Sequence, residues 1–116
     1  MIELKSPSQI ALMARSGAIL AKVFGKLRHE MRAGITTKEL DELACKLVLS
    51  YGASPAFLGY APGAGMKKFP ASLCVSINDE IVHGIPGARV LKEGDVVGLD
   101  FGTLYKGFYA DSAITV

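Results

Sequence analysis

Two aspartates, Asp100 and Asp111, have the residue type and spacing that most directly suggest chemistry. Asp100 lies in an otherwise apolar run, where an isolated charged carboxylate is costly unless it is paired or neutralised. Lys106-Gly107 is typical of a two-residue hairpin turn between two strands. Counting outward from that turn places Gly102 opposite Asp111, so the two aspartates are predicted to face the same side of the sheet as diagonal neighbours.

Carboxylates that converge in this way repel each other, which forces one of them to protonate unless a cation compensates. A divalent ion would supply that compensation, and Gly102 between the two aspartates would leave room for it. Oxygen ligands fit Mg, Ca and Mn and also serve Zn, Co and Fe, so the pair does not identify the metal. The spacing also fits an alternative in which Asp111 is a strand-end carboxylate and Asp100 is a hydrogen-bonded core acid.

His83 is a third side chain that could take part in chemistry. It ends a predicted strand beside Gly84 and could approach the carboxylates as a ligand, an acid/base or a substrate-contacting group. A histidine in this place also fits simple packing within a strand. Neither Cys45, Cys74 nor any serine lies in a recognisable nucleophile motif, so a nucleophilic triad has no support in this sequence.

The elements that must position these residues begin with two predicted helices. Ser6 caps the first helix and Gln9 completes a capping box, and Thr36 with Glu39 repeats the pattern for a second helix that Gly52 ends. Apolar residues recur at steps of three and four along both helices, which indicates one packed face on each. These residues are Ile10, Met13, Gly17, Leu20, Phe24, Leu27 and Met31 in the first helix and Leu40, Leu43, Leu47 and Tyr51 in the second.

The last third of the chain has the pattern of β structure. Strands are predicted for residues 73–77, 81–83, 96–105 and 108–116. A long loop is predicted between Ser54 and Ala71, because glycines and prolines, Pro62 among them, interrupt regular structure there. The fold class is therefore α+β, with two helices covering one face of a mainly antiparallel sheet, and residues 1–116 form one domain.

Composition and charge limit the classes of function. Thirteen Lys and Arg against eleven Asp and Glu give a net charge of +2, and the basic residues are scattered, which argues against nucleic acid as the main partner. No apolar run approaches the roughly 18 residues that span a bilayer, and the start of the chain lacks a secretory pattern. Two cysteines are too few for a disulfide framework, so we expect free thiols in a cytoplasmic protein that does not bind membranes.

The longest informative motif is at residues 74–86, Cys-Val-Ser-Ile-Asn-Asp-Glu-Ile-Val-His-Gly-Ile-Pro. Gly94-Asp95, Asp100, Phe101-Gly102 and then Gly-Phe-Tyr-Ala-Asp at residues 107–111 follow it. Together these motifs resemble those of the type I methionine aminopeptidases, which have the pita-bread fold. Residues 34–41, Gly-Ile-Thr-Thr-Lys-Glu-Leu-Asp, are similar to the start of that family's second helix. The resemblance covers essentially the whole chain and implies the N-terminal half of such a fold.

The resemblance implies a metal-dependent peptidase. The resemblance implies that Asp111 bridges two divalent ions in each complete site and that Asp100 chelates one of them. The ions would be Co, Mn, Fe, Zn or a similar metal. His83 matches the family histidine that contacts the scissile peptide region, so it is the candidate catalytic residue and positions the substrate. The implied reaction removes the N-terminal methionine of a polypeptide, mainly when the second residue is small, by using ions that lower the pKa of water.

The resemblance also implies a pocket for the methionine side chain. Tyr60, Phe69 and Cys74 match positions around that pocket, and Phe57 is a further candidate. An apolar lining suits the polarizable thioether of methionine. The loop at residues 61–68 is longer than in the commonest members of the family.

In length the chain departs from the family pattern, because it stops at Val116, about half the family's length. By the resemblance, a histidine and two glutamates that complete the metal site lie beyond it. The last strand would offer an uncovered edge, and 50% of the residues are hydrophobic. A homodimer or a complementing C-terminal half is therefore expected to cover that edge.

Two other functions are alternatives. Prolidases, proline-specific aminopeptidases and creatinase share the fold and a similar aspartate spacing, although His-Gly-Ile-Pro after a cysteine-containing strand favours the methionine enzymes. A non-catalytic half-fold or binding protein is a different class of answer. Asp100, Asp111 and His83 are all present, which favours catalysis for the parent sequence, whereas the isolated half is expected to have little activity.

Overall fold

Two helices and four strands make up the part of the chain that the computed structural model describes, residues 1–61 and 63–116. Pro62, which belongs to the predicted loop, lies outside the described residues. The elements are α1 (Pro7–Glu30), α2 (Thr37–Ser50), β1 (Ser54–Pro55), β2 (Leu73–Ile77), β3 (Val97–Tyr105) and β4 (Phe108–Thr115). The predicted α+β class is confirmed. Over the described ranges, no helix combines the length and the apolar character needed to cross a membrane.

Both helices begin where capping was predicted. The Oγ of Ser6 accepts a hydrogen bond from the N–H of Gln9 at 3.2 Å, and the Gln9 side chain accepts one from the N–H of Ser6 at 2.8 Å. Thr36 and Glu39 make the same reciprocal pair at the start of α2, at 3.1 and 2.9 Å. α2 ends before Gly52, whose φ of 80° is a left-handed conformation that glycine adopts without strain.

The first part of the packed stripe of α1 differs from the prediction, since Leu12 packs against the core. Leu20, Phe24 and Leu27 are buried as expected, whereas Ile10 and Met13 are 55% and 39% exposed. Ser16 is the first buried residue of the helix. The prediction was wrong for Ile10 and Met13, because the core meets the face that carries Leu12 and Ser16 at this level of the helix.

β3 is the centre of an antiparallel sheet. It pairs with β1 and β2 along one edge and with β4 along the other, and β1 lies within the region predicted as a long loop. The odd-numbered side chains of β3 form the core face, which packs with apolar residues of both helices. Its even-numbered residues, together with their partners on β2 and β4, form the opposite surface, which we call the site face.

A pair of hydroxyl groups joins α1 to the core face. The Oγ of Ser16 lies 2.9 Å from the Oγ1 of Thr103, and the Thr103 hydroxyl donates to the backbone oxygen of Ser16 at 3.1 Å. Both residues are buried. Because each hydroxyl has a partner, neither carries the free-energy cost of an unsatisfied buried polar group.

Residues 81–83 do not form a strand, contrary to the prediction. Gly84, which follows them, lies against β2: its N–H donates to the Oγ of Ser76 at 3.1 Å, and its carbonyl accepts from the N–H of Val75 at 3.0 Å. His83 has a φ of 59°, in the left-handed region. The chain therefore turns at His83, and a strand ladder does not continue there.

Candidate active site

Asp100 and Asp111 lie on the site face of adjacent strands. Lys106 and Gly107 have φ values of 46° and 84°, the left-handed pair that a two-residue hairpin of this type requires. The register places Gly102 opposite Asp111, two positions from Asp100. The predicted hairpin and its register are therefore confirmed, and both carboxylates project from the same surface.

The charge of Asp100 is disfavoured in this arrangement. Burial raises the pKa of its carboxyl above the usual 3.8, and the negative charge of Asp111 and a hydrogen bond with that residue raise it further. His83 acts in the opposite direction and lowers the pKa of Asp100. A proton or a cation between the two carboxylates relieves their repulsion.

An aromatic ring occupies the space above Gly102. A Cβ atom at Gly102 would lie 2.9 Å from Cε1 of Phe57 and 3.1 Å from the Cβ of Ala56. The N–H of Ala56 donates to the carbonyl of Gly102 at 3.0 Å, which holds this segment beside β3. The missing side chain of Gly102 therefore admits the ring of Phe57. The ion site between Asp100 and Asp111 stays a prediction.

A cavity of about 640 Å³ lies next to the two aspartates. The residues that sequence reasoning selected all line it: Phe57, Tyr60, Phe69, Cys74, His83, Asp100 and Asp111. Four further residues line the cavity without having been indicated by the sequence: Lys67, Lys68, Pro70 and Ile85. Its volume falls within the ~300–1,000 Å³ that is usual for ligand pockets.

Cys74 forms a neutral part of the cavity wall. It lies on β2 directly opposite Asp100 and is buried. Burial raises the pKa of its thiol to about 11, and the negative charges of Asp100, Asp111 and Asp41 act in the same direction. The thiol is therefore protonated at neutral pH and presents a polarizable surface without charge.

Asp41 of α2 holds the start of β2, and hence the strand that carries Cys74. Its Oδ1 accepts hydrogen bonds from the backbone N–H groups of Ser72 and Leu73, both at 2.8 Å. The sequence motif contained Asp41 but gave no sign of this contact, because the partners are more than thirty positions away along the chain.

His83 reaches the cavity from the turn that follows β2. A Cβ atom on Gly84 would overlap the carbonyl oxygen of Val75, so only glycine fits at this close approach. The two backbone contacts of Gly84 with β2 fix the residue immediately after His83. Close packing of Gly84 therefore fixes the backbone beside His83 against β2.

The aromatic wall is formed at the two ends of one loop. The N–H of Gly59 donates to the carbonyl of Phe69 at 2.9 Å, and the N–H of Phe69 donates to the carbonyl of Tyr60 at 2.7 Å. These bonds bring Tyr60 and Phe69 together although they are separated in sequence, and both line the cavity.

The donor set fits part of a divalent metal site. Asp100 and Asp111 offer hard oxygen ligands from one surface, and the charge of Asp111 adds to the effect of burial in raising the pKa of Asp100. Throughout the described residues, no three His, Cys, Asp or Glu side chains are grouped so that they could hold an ion. The two carboxylates thus provide only part of a coordination shell.

The sequence is similar to those of methionine aminopeptidases. The family described as Metallopeptidase family M24 matches residues 11–116. The chain is 46% identical over 116 residues to the methionine aminopeptidase of Aquifex aeolicus and 43% identical over 115 residues to methionine aminopeptidase 1 of Bacillus subtilis. These matches cover 99% of this chain but 45% and 44% of the two relatives. The chain therefore spans about half the length of the curated relatives it matches.

The fold is similar to those of solved methionine aminopeptidases. The enzyme from Rickettsia prowazekii matches with a TM-score of 0.91 at 31% identity, covering 99% of this chain and 44% of that one. The enzyme from Thermotoga maritima matches with a TM-score of 0.89 at 37% identity, covering 100% and 45%. These matches confirm the predicted half of a pita-bread architecture and the resemblance on which it rested. The chain belongs to metallopeptidase family M24, and this membership implies divalent metal ions as cofactors.

Proposed function

We propose that this chain supplies the metal-binding and methionine-binding wall of a type I methionine aminopeptidase, which removes the N-terminal methionine of polypeptides in the cytoplasm. The main support is one cavity that joins two carboxylates to an aromatic and thiol lining. The names of the relatives from Aquifex aeolicus and Bacillus subtilis support methionine as the residue removed. As the N-terminal half of the enzyme, residues 1–116 would form one structural unit.

In this proposal, Asp111 would contribute a carboxylate to both divalent ions and Asp100 would contribute one to a single ion. Co, Mn, Fe and Zn are the candidate ions, since all accept carboxylate ligands. When bound, such ions would lower the pKa of a water molecule and polarise the scissile carbonyl. Their positive charge would also remove the repulsion that raises the pKa of Asp100.

The substrate would bind along the same wall. The methionine side chain would lie among Tyr60, Phe69 and Cys74, with Phe57 at the side nearest the carboxylates, where an uncharged thiol and aromatic rings suit a thioether. His83 would contact the scissile peptide by hydrogen bonding through its imidazole. The fixed position of Gly84 supports that role, because it holds the backbone next to His83 against β2.

A test of the metal site uses the purified chain after exposure to Mn or Co and exhaustive dialysis. Elemental analysis is expected to find metal with the wild-type chain and a large loss in the double variant Asp100→Asn, Asp111→Asn. A matched control, Asp79→Asn with Glu93→Gln, removes two exposed carboxylates elsewhere and is expected to retain the metal. Equal metal content in all three proteins would contradict the assignment of Asp100 and Asp111.

The reaction is tested by combining the chain with the C-terminal portion of a related enzyme. The isolated chain is expected to show little turnover, because two carboxylates do not complete a dinuclear site. Mixing it with the C-terminal portion of the Aquifex aeolicus relative, which lies beyond the matched 45%, is expected to release methionine from Met-Ala-Ser. Cleavage of Xaa-Pro peptides instead would favour a prolidase, and a stable assembly that binds metal but cleaves neither would favour a binding protein.

We also propose that a partner covers the outer edge of β4, the edge that does not pair with β3. β4 pairs with β3 through one edge, and Tyr109 on that strand is 64% exposed. A second copy of the chain or a complementing C-terminal half would cover this surface. Light scattering over a dilution series is expected to show association, whereas a monodisperse monomer at all concentrations would contradict the homodimer.

A further inference from the structure

The loop between Tyr60 and Phe69 carries two positive charges to the cavity. Lys67 and Lys68 are exposed residues, and both line the same cavity as Asp100 and Asp111. The hydrogen bonds of Phe69 with Gly59 and Tyr60 close the loop at its base. The lysines are therefore attached close to a fixed point of the cavity wall, and their long side chains can follow a bound ligand.

Among the described residues, neither lysine forms an ion pair with an acidic side chain. The ion pairs within residues 1–61 and 63–116 join Lys5 to Glu3, Arg32 to Glu30, Lys38 to Glu42 and Arg89 to Glu80. Bound divalent ions would compensate the two aspartates of the cavity, but not the two ammonium groups. A substrate would then meet a cavity with uncompensated positive charge on its loop side.

We propose that Lys67 and Lys68 select substrates that carry acidic side chains after the second residue. This inference rests on the proposed function, because it takes the N-terminal methionine to lie among the aromatic residues beside the carboxylates. The small second residue offers no charge, so the following side chains are the first that the lysines can recognise. The substrate class is a polypeptide that begins with methionine, a small residue and then Asp or Glu.

Isothermal titration calorimetry with the Mn-loaded chain tests this selection. The probes are three peptides amidated at the C-terminus, Met-Ala-Glu-Glu, Met-Ala-Gln-Gln and Met-Ala-Lys-Lys, which differ only in charge after the second residue. We expect the acidic peptide to bind about three- to tenfold tighter than the glutamine peptide, as two exposed ion pairs would give. The lysine peptide is expected to bind more weakly than both, and added salt should reduce the differences.

Two double variants locate the effect. Lys67→Gln with Lys68→Gln is expected to bind the acidic and glutamine peptides equally. The matched control, Lys26→Gln with Lys46→Gln, removes the same charge from exposed positions on α1 and α2 and should keep the preference. Circular dichroism checks that all proteins fold, which is expected because all four substituted residues are exposed.

The outcomes separate this inference from the proposed function. Equal binding of the acidic and glutamine peptides by the wild-type chain would overturn the charge selection and leave the methionine pocket standing. Persistence of the preference in the Lys67→Gln, Lys68→Gln variant would overturn the assignment to these lysines. No binding of any of the three peptides would overturn both, since the cavity would then not be a peptide site.

Discussion

Cys74 pairs directly with Asp100 across β2 and β3, so the thiol and the carboxyl are neighbours on the site face. The register alone produces this contact, because paired residues of antiparallel strands project to the same side. Burial and the nearby carboxylates raise the pKa of the thiol from 9.0 to about 11. The thiol of Cys74 therefore stays protonated and uncharged at neutral pH, although two carboxyl groups lie beside it.

Replacing Asp100 with asparagine is expected to lower the pKa of Cys74, because it removes one of the charges that oppose the thiolate. Iodoacetamide should then modify Cys74 of the metal-free variant faster than in the wild type, by less than about tenfold, because burial is the larger cause and persists. Mass spectrometry of the labelled peptides measures the rates, with Cys45 as the internal control. Equal rates at Cys74 would contradict the electrostatic contribution of Asp100.

The stability of the metal-free chain should depend on pH through Asp100. Its pKa in the folded chain lies above the usual 3.8, so the folded state binds this proton more tightly than the unfolded state. The resulting stabilisation is fully present below pH 3.8 and is lost as the pH rises through the folded pKa. Urea unfolding in the presence of a chelator should find Asp100→Asn more stable than the wild type at neutral pH.

Asp95 provides a control of the opposite sign. The backbone N–H of Lys92 and the side chain of Asn78 donate hydrogen bonds that hold the pKa of Asp95 below its usual value. Its stabilisation is therefore present at neutral pH and is lost as the pH falls through the folded pKa. Asp95→Asn should destabilise the neutral chain, and a shift in the same direction as Asp100→Asn would contradict this account.

Gly84→Ala is expected to reduce the free energy of unfolding by about 2 kcal/mol, because the added methyl group overlaps the carbonyl of Val75 in a packed region. Gly87→Ala is the matched control, since a Cβ there has no atom within 4 Å. Chemical denaturation of the two variants measures the difference. An unchanged midpoint for Gly84→Ala would show that the turn after β2 can move away at little cost.

Gly102→Ala should displace the ring of Phe57 and reduce stability by about 1 kcal/mol. Phe57→Leu in the same chain removes the nearest ring atoms, so the double variant should lose less stability than the sum of the two single changes. Unfolding midpoints of the four proteins give this coupling. Strict additivity would mean that the ring does not limit the residue at position 102.

The hairpin and its carboxylates could be predicted because their geometry is local. Lys106-Gly107 defines a two-residue turn, and period-two alternation then places Asp100 and Asp111 on one side without knowledge of the rest of the fold. The helix starts at Ser6 and Thr36 were predictable for the same reason, since each capping box spans only four residues.

The failed and missing predictions concern contacts between distant parts of the chain. A strand was expected at residues 81–83 because Ile and Val favour extended structure, but the close approach of Gly84 to β2 decides that conformation. Ser16 and Thr103 are 87 positions apart, and their hydrogen bond has no sequence signal. The cavity also depends on contacts between residues that are far apart in the sequence. No short sequence motif predicts such contacts.

The two hydrogen bonds that close the loop at Phe69 also make the loop a replaceable module. Residues 61–68 can be shortened, lengthened or exchanged for another segment while the bonds at the base of the loop hold Tyr60 and Phe69 in place. Evolution or an engineer could then change this loop without moving the residues that line the rest of the cavity. Under the proposed function, the choice of polypeptide would depend on the loop and hydrolysis on the carboxylates, so the two properties could change independently.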